Sequence, residues 1–177
     1  MQWRQSNRIR DTALSQERLF FVEVMGHHTG FIALESCIAG GAEELLIPEA
    51  LMIVDELCLR LEKSFEQGKK SAIVVVAEAK HPGNSFRIAR AVKSRLGFES
   101  RVCILGHIQR GGSPTARDRV LAGKLGTTAV RALMNGKSGY MVGEINGEIA
   151  YTPLKDTWQM KKQLGADLEE LARLLSE

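Results

Sequence analysis

The chain alternates short, nearly continuous apolar runs with longer segments whose apolar residues recur every three or four positions. LFFVEV (19–24), ELLIPE (44–49), SAIVVVAE (71–78) and SRVCILG (100–106) are runs of the first kind. They predict strands, with SAIVVVAE the clearest buried one. Segments of the second kind predict helices. TGFIALESCIAGG (29–41) puts Phe31, Leu34 and Ile38 on one face, with Thr29 as the expected cap and Gly40-Gly41 as the stop. ALMIVDELCLRLEKSFEQGKK (50–70) ends at Gly68, and NSFRIARAVKSRLG (84–97) ends at Gly97. SPTARDRVLAGKLGTTAVRALMNGK (113–137) predicts a long helix with Ser113 as N-cap and Pro114 in the first turn. YMVGEINGEIAYT (140–152) predicts a hairpin around Asn146-Gly147. GADLEELARLLSE (165–177) predicts a closing amphipathic helix.

Strands alternating with helices imply an α/β fold: a mostly parallel sheet with helices on both faces, followed by a hairpin near the C-terminus. A chain of 177 residues suits one domain over 1–177, burying roughly two-thirds of its unfolded surface. Aromatic residues are 6% of the chain, so aliphatic side chains must build the core. No apolar run approaches the ~20 residues of a membrane span. The opening MQWRQSNRIRD is polar, unlike a secretory leader. The expectation is a cytoplasmic protein. Cys37, Cys58 and Cys103 lie apart among apolar residues and read as free thiols. The net charge of +3 comes from scattered cations. With so few aromatic residues to stack on bases, nucleic-acid binding is disfavoured.

In an open parallel sheet, ligands sit outside the carboxyl ends of the strands. Three predicted strands place polar or glycine-rich residues there: Met25-Gly26-His27-His28, Glu78, and Gly106-His107-Ile108-Gln109-Arg110-Gly111-Gly112. They surround one crevice if the strands are neighbours. GHIQRGGSP (106–114) has two readings. It is either an anion site, with Gly111 and Gly112 bringing the chain close to a helix N-terminus and Arg110 and His107 adding donors, or a loop whose glycines only turn the chain. Glu78 either accepts from hydroxyl groups, as sugar sites need, or is a strand-end charge in water. Arg18 and Arg101 lie at the amino ends of their strands. A six-residue strand spans roughly 20 Å, so these two serve either solvent on the opposite rim or the crevice of a neighbouring subunit.

VEVMGHHTGFIALESCIAGGAEELLIPE and CILGHIQRGGSPTARDRVLAGKLG closely resemble the carboxyl-terminal half of bacterial-type 6-phosphofructokinase. The likeness runs from about Arg10 to about Pro153, and LGHIQRGGSP is its most specific element. The resemblance implies that Met25, Gly26 and Glu78 contact the sugar of fructose 6-phosphate, and His107 and Arg110 its 6-phosphate. It implies that Arg18 and Arg101 are lent to the site of an adjacent subunit in a homotetramer. It also implies an effector site for ADP or phosphoenolpyruvate at Arg10, Glu43 and Lys69, on the opposite rim.

Two positions depart from the family pattern. Gln67 stands where many bacterial members carry lysine, which removes a charge from the effector site. His27 stands where the family usually has an arginine near the transferring phosphoryl group. An unperturbed histidine is charged only below about pH 6.5, so charge stabilisation there becomes weaker or pH-dependent. His28 and His81 read as ordinary surface or loop histidines.

The family's glycine-rich GGDGS nucleotide loop and its TIDND segment, which holds the general base, do not occur in these 177 residues. The expectation is therefore the fructose-6-phosphate-binding half of a glycolytic kinase, inactive alone. ATP and Mg2+ would be bound by the full enzyme and not by this chain, and MQWRQSN would be a truncated or engineered beginning. The alternatives are half of a pyrophosphate-dependent phosphofructokinase and a non-catalytic sugar-phosphate-binding module.

Overall fold

The structure is a computed structural model that describes residues 18–50, 53–78, 82–160 and 162–176. The chain divides into two compact units, Met1–Gly111 with Leu164–Glu177, and Gly112–Gln163.

The first unit holds strands β1 (Leu19–Val24), β2 (Glu44–Leu46), β3 (Ala72–Ala77) and β4 (Ser100–Ile104). They form one sheet in the order β2-β3-β1-β4, and every pairing is parallel. Helices α1 (Phe31–Gly40), α2 (Val54–Glu66), α3 (Asn84–Leu96) and α6 (Ala166–Ser176) belong to the same unit. All six residues of β1 and of β3 are buried, because alternate side chains enter two cores. Phe20, Val22 and Val24 join Ile73, Val75 and Ala77 against Ala33 and Cys37 of α1. Leu19 and Phe21 join Ala72, Val74 and Val76 against Leu57, Cys58 and Leu61 of α2 and Ile88, Ala89 and Val92 of α3. Helices therefore cover both faces, as the alternating pattern predicts. Cys37 and Cys58 are buried free thiols and Cys103 is a half-buried one. Burial pushes the Cys37 thiol up to about 12, helped by the charges of Glu44 and Glu43.

The second unit contains α4 (Ala116–Met134), β5 (Tyr140–Ile145), β6 (Glu148–Pro153) and the short α5 (Leu154–Thr157). β5 and β6 pair antiparallel around Asn146 and Gly147. Both turn residues have positive φ, 53° and 84°, the geometry that suits the twist of a tight hairpin. Tyr140 meets Tyr151 edge-on at 6.4 Å, and the Lys137 ammonium lies 5.0 Å from the centre of the Tyr151 ring.

The expected caps differ in two places. Thr29 does not cap α1. Its hydroxyl donates to Gly26 O at 3.1 Å, and the N-cap is Gly30, whose N–H donates to the Glu49 carboxylate at 2.8 Å. A carboxylate supplied by the segment after β2 thus replaces the local hydroxyl. Ser113 does not cap α4 either. The cap is Thr115, in a reciprocal capping box with Asp118. Pro114 then lies before the helix, because Thr115 and Asp118 have the three-residue spacing the box requires. The stops are as expected: Gly41 and Gly97 adopt left-handed conformations, with φ of 59° and 72°.

Candidate functional site

Sheet order decides which strand ends meet. β1 lies between β3 and β4, so the chain leaves all three strands side by side at their carboxyl ends. The ladders run on into the loops: Glu78 N–H donates to Val24 O at 2.8 Å, and Leu105 N–H to Glu23 O at 3.0 Å. Met25, Gly26, Glu78 and the 106–110 segment consequently share one rim. Met25, Gly26 and Glu78 are half-buried, while His27, His107 and Arg110 are exposed.

Each edge of this rim has a local cause. Thr29 N–H closes a turn onto Gly26 O at 2.9 Å. A Cβ at Gly26 would fall 2.4 Å from Thr29 O, so the turn requires glycine. His27 then takes a left-handed backbone, φ 55°, and its ring centre lies 3.9 Å from that of His28.

Residues Gly106–Arg110 form a 3₁₀ turn, where the sequence predicts only a glycine-flanked loop. In a 3₁₀ turn, side chains three apart eclipse and rise roughly 6 Å. His107 and Arg110 therefore face the same way, and Gly106 and Gln109 share another side. Gln109 turns toward β1, where its Oε1 accepts from Met25 N–H at 2.8 Å. Its Nε2 is buried without a hydrogen-bond partner among the described residues. Gly106 and Gly112 hold positive φ, 51° and 111°. Gly111, expected from sequence to turn the chain, is extended at φ −95°. The sequence also points to the N-terminus of the following helix as an anion site. That end is furnished by the chain's own Asp118, whose carboxylate accepts from Thr115 N–H at 2.7 Å and from Thr115 Oγ1 at 2.8 Å.

Glu23 carries no signal in sequence beyond being a charge inside an apolar run. It is 1% exposed and shares the face of Leu19 and Phe21. Its carboxylate accepts from Gly83 N–H (2.7 Å), Ser85 N–H (2.9 Å) and Ser85 Oγ (2.6 Å). It therefore caps α3 from a neighbouring strand and fixes the far end of the loop that begins at Glu78.

Arg18 immediately precedes β1 and Arg101 is the second residue of β4. Both lie on the opposite rim, at Glu99. The Glu99 carboxyl is held below its ordinary range by its hydrogen bond to Lys93 and that residue's charge, with Arg101 and Arg18 adding to the effect. Arg10 lies outside the described residues. Glu43 and Lys69 line one cavity of about 570 Å³ together with Arg60, Lys63, Gln67 and Arg173. The Glu43 carboxylate accepts from Ile73 N–H at 2.7 Å. Arg60 donates to both oxygens of Glu44 at 2.9 Å. Burial pushes the Glu44 carboxyl up, and Arg60 opposes it.

A family model described as phosphofructokinase matches residues 3–133. The chain belongs to the phosphofructokinase family. An ATP-dependent 6-phosphofructokinase 1 of Thermus thermophilus is 51% identical over 170 residues, 96% of this chain and 53% of the relative. An ATP-dependent 6-phosphofructokinase of Coxiella burnetii is 50% identical over 85% of this chain and 46% of its own length. The chain thus spans about half the length of the curated phosphofructokinases it matches. The solved phosphofructokinase of Saccharomyces cerevisiae superposes with a TM-score of 0.82 at 30% identity, covering 99% of this chain and 24% of that one. A pyrophosphate-dependent phosphofructokinase of Marinobacter aquaeolei has a TM-score of 0.74 at 20% identity, a likeness of fold alone. Among the described residues, no helix is long and apolar enough to cross a membrane.

Proposed function

We propose that this chain is the carboxyl-terminal, fructose-6-phosphate-binding half of an ATP-dependent 6-phosphofructokinase. Such an enzyme transfers the γ-phosphate of ATP to the sugar's 1-hydroxyl in glycolysis. The observation that carries this reading is the rim itself: Met25, Gly26 and Glu78 beside a 3₁₀ turn that presents His107 and Arg110 on one side. Glu78 accepts from sugar hydroxyls, the Gly26 turn brings backbone close to the ring, and Arg110 with His107 holds the 6-phosphate by charge-assisted hydrogen bonds. These residues contribute positioning, which is most of what phosphoryl transfer asks of a protein beyond charge stabilisation. The 50–51% identity to relatives named ATP-dependent supports ATP over pyrophosphate as donor.

ATP and Mg2+ belong to the whole enzyme. Among the described residues, no three His, Cys, Asp or Glu side chains gather as a metal site. Arg18 and Arg101, on the rim away from the sugar, serve the site of an adjacent subunit in a cytoplasmic homotetramer. The shared cavity of Glu43, Gln67 and Lys69 supports an effector site for ADP or phosphoenolpyruvate.

Calorimetric titration of the 177-residue chain with fructose 6-phosphate tests the reading. Arg110→Ala is expected to weaken binding at least tenfold. An unchanged dissociation constant would remove the phosphate role of the turn. In a coupled assay the purified chain is expected to give no turnover above background, and measurable turnover would contradict its assignment as a half-enzyme.

A further inference from the structure

Gln109 sits between His107 and Arg110 and on neither one's side of the 3₁₀ turn. Its carbonyl oxygen reaches 84 residues back along the chain to the Met25 amide, at 2.8 Å. Met25 is where the sugar-contacting turn begins, and Gln109 lies inside the phosphate-contacting one. Because Met25 N–H is a donor, the oxygen end of the amide must face it, which leaves Nε2 buried and unpartnered among the described residues. A carboxylate would accept the same hydrogen bond and leave no orphan donor. It would also put a negative charge beside Arg110, where an anion is to be held. Glutamine is the side chain of that length that accepts without charge, and the orphaned Nε2 accompanies that choice.

We propose that Gln109 is a positioning residue that locks the sugar turn at Met25–Gly26 to the phosphate turn at Gly106–Arg110, so that one rigid body reads both ends of a sugar phosphate. The ligand half of this inference rests on the function proposed above. The locking half does not.

The test uses the 177-residue chain and two variants: Gln109→Met, of similar length and with only a weak sulfur acceptor, and Gln109→Glu, which keeps the oxygen acceptor. Amide hydrogen exchange followed by NMR reads the lock without ligand. In Gln109→Met the Met25 amide is expected to exchange at least tenfold faster than in the parent, with Phe21 and Val75 unchanged. In Gln109→Glu it stays protected. Titrations with fructose 6-phosphate and with inorganic phosphate then read the coupling. Gln109→Met is expected to lose about tenfold for the sugar phosphate and nothing for inorganic phosphate, which needs only the His107 and Arg110 side. Gln109→Glu weakens both.

An unchanged Met25 exchange rate in Gln109→Met overturns the proposal. So does an equal loss for both ligands, which is what a merely structural role produces. If the parent chain binds neither ligand, the proposed function fails while the exchange comparison still decides the lock. If faster exchange at Val75 shows Gln109→Met to be globally destabilised, Gln109→Asn, one methylene short of the Met25 amide, takes its place. The same exchange and titration results then support or overturn the lock.

Discussion

Replacing Glu23 by leucine keeps the volume of a side chain that is 1% exposed and removes its two acceptor oxygens. Gly83 N–H and Ser85 N–H then lose partners at 2.7 and 2.9 Å, at the start of α3, where Ser85 is buried and Gly83 half-buried. The Ser85 hydroxyl, bonded at 2.6 Å, can rotate, so the two amides set the scale. A buried donor left unpaired costs about 1–3 kcal/mol. Two of them, partly offset by the added apolar surface, give a loss of about 3–4 kcal/mol. For a chain of this size that corresponds to a fall of roughly 8–12 °C in melting temperature. Glu23→Gln retains one acceptor oxygen and turns an NH2 group toward the other donor, for a loss of about 1–2 kcal/mol. The assay is urea unfolding followed by circular dichroism, with thermal melts alongside. A Glu23→Leu protein within about 1 kcal/mol of the parent would show that the amides find other acceptors and that Glu23 does not cap α3. Equal damage from glutamine and leucine would show that charge matters and acceptor count does not.

Two further outcomes follow from local geometry and burial. Gly30→Ala places a Cβ 2.5–2.6 Å from Ile47 and 2.8 Å from the Glu49 carboxylate, so an overpacking loss of about 1–3 kcal/mol is expected in urea unfolding. Gly111→Ala meets nothing closer than 3.7 Å and is expected to stay within about 0.5 kcal/mol. Reversed results for this pair would refute the loop geometry. The Cys37 thiol is raised in the fold from 9.0 to about 12, so the unfolded chain releases its proton first as pH rises. The corresponding stability is complete below about pH 9 and is lost from there toward pH 12, at a slope of at most about 1.4 kcal/mol per pH unit. The pH dependence of unfolding above about 9 should therefore be steeper in the parent than in Cys37→Ala, and identical slopes would contradict the burial of this thiol.

The runs LFFVEV and AIVVVA determined β1 and β3 by themselves, because strands covered on both faces need apolar side chains at nearly every position. Gly97 and Asn146-Gly147 likewise fixed a helix stop and a hairpin, since only residues tolerant of positive φ fit there. The motifs after Val24, Ala77 and Leu105 marked the candidate rim, and the likeness of LGHIQRGGSP to phosphofructokinases suggested the chemistry proposed for it. Sequence could not place β1 between β3 and β4, since helix-linked strands can be ordered in several ways with the same local pattern. Nor could it show that Glu49 closes α1, that Glu23 closes α3, or that Gln109 holds Met25. Each of those hydrogen bonds joins residues 19 to 84 positions apart. No local spacing encodes them: the chain specifies each partner's chemistry, and only packing brings a donor within reach of its acceptor.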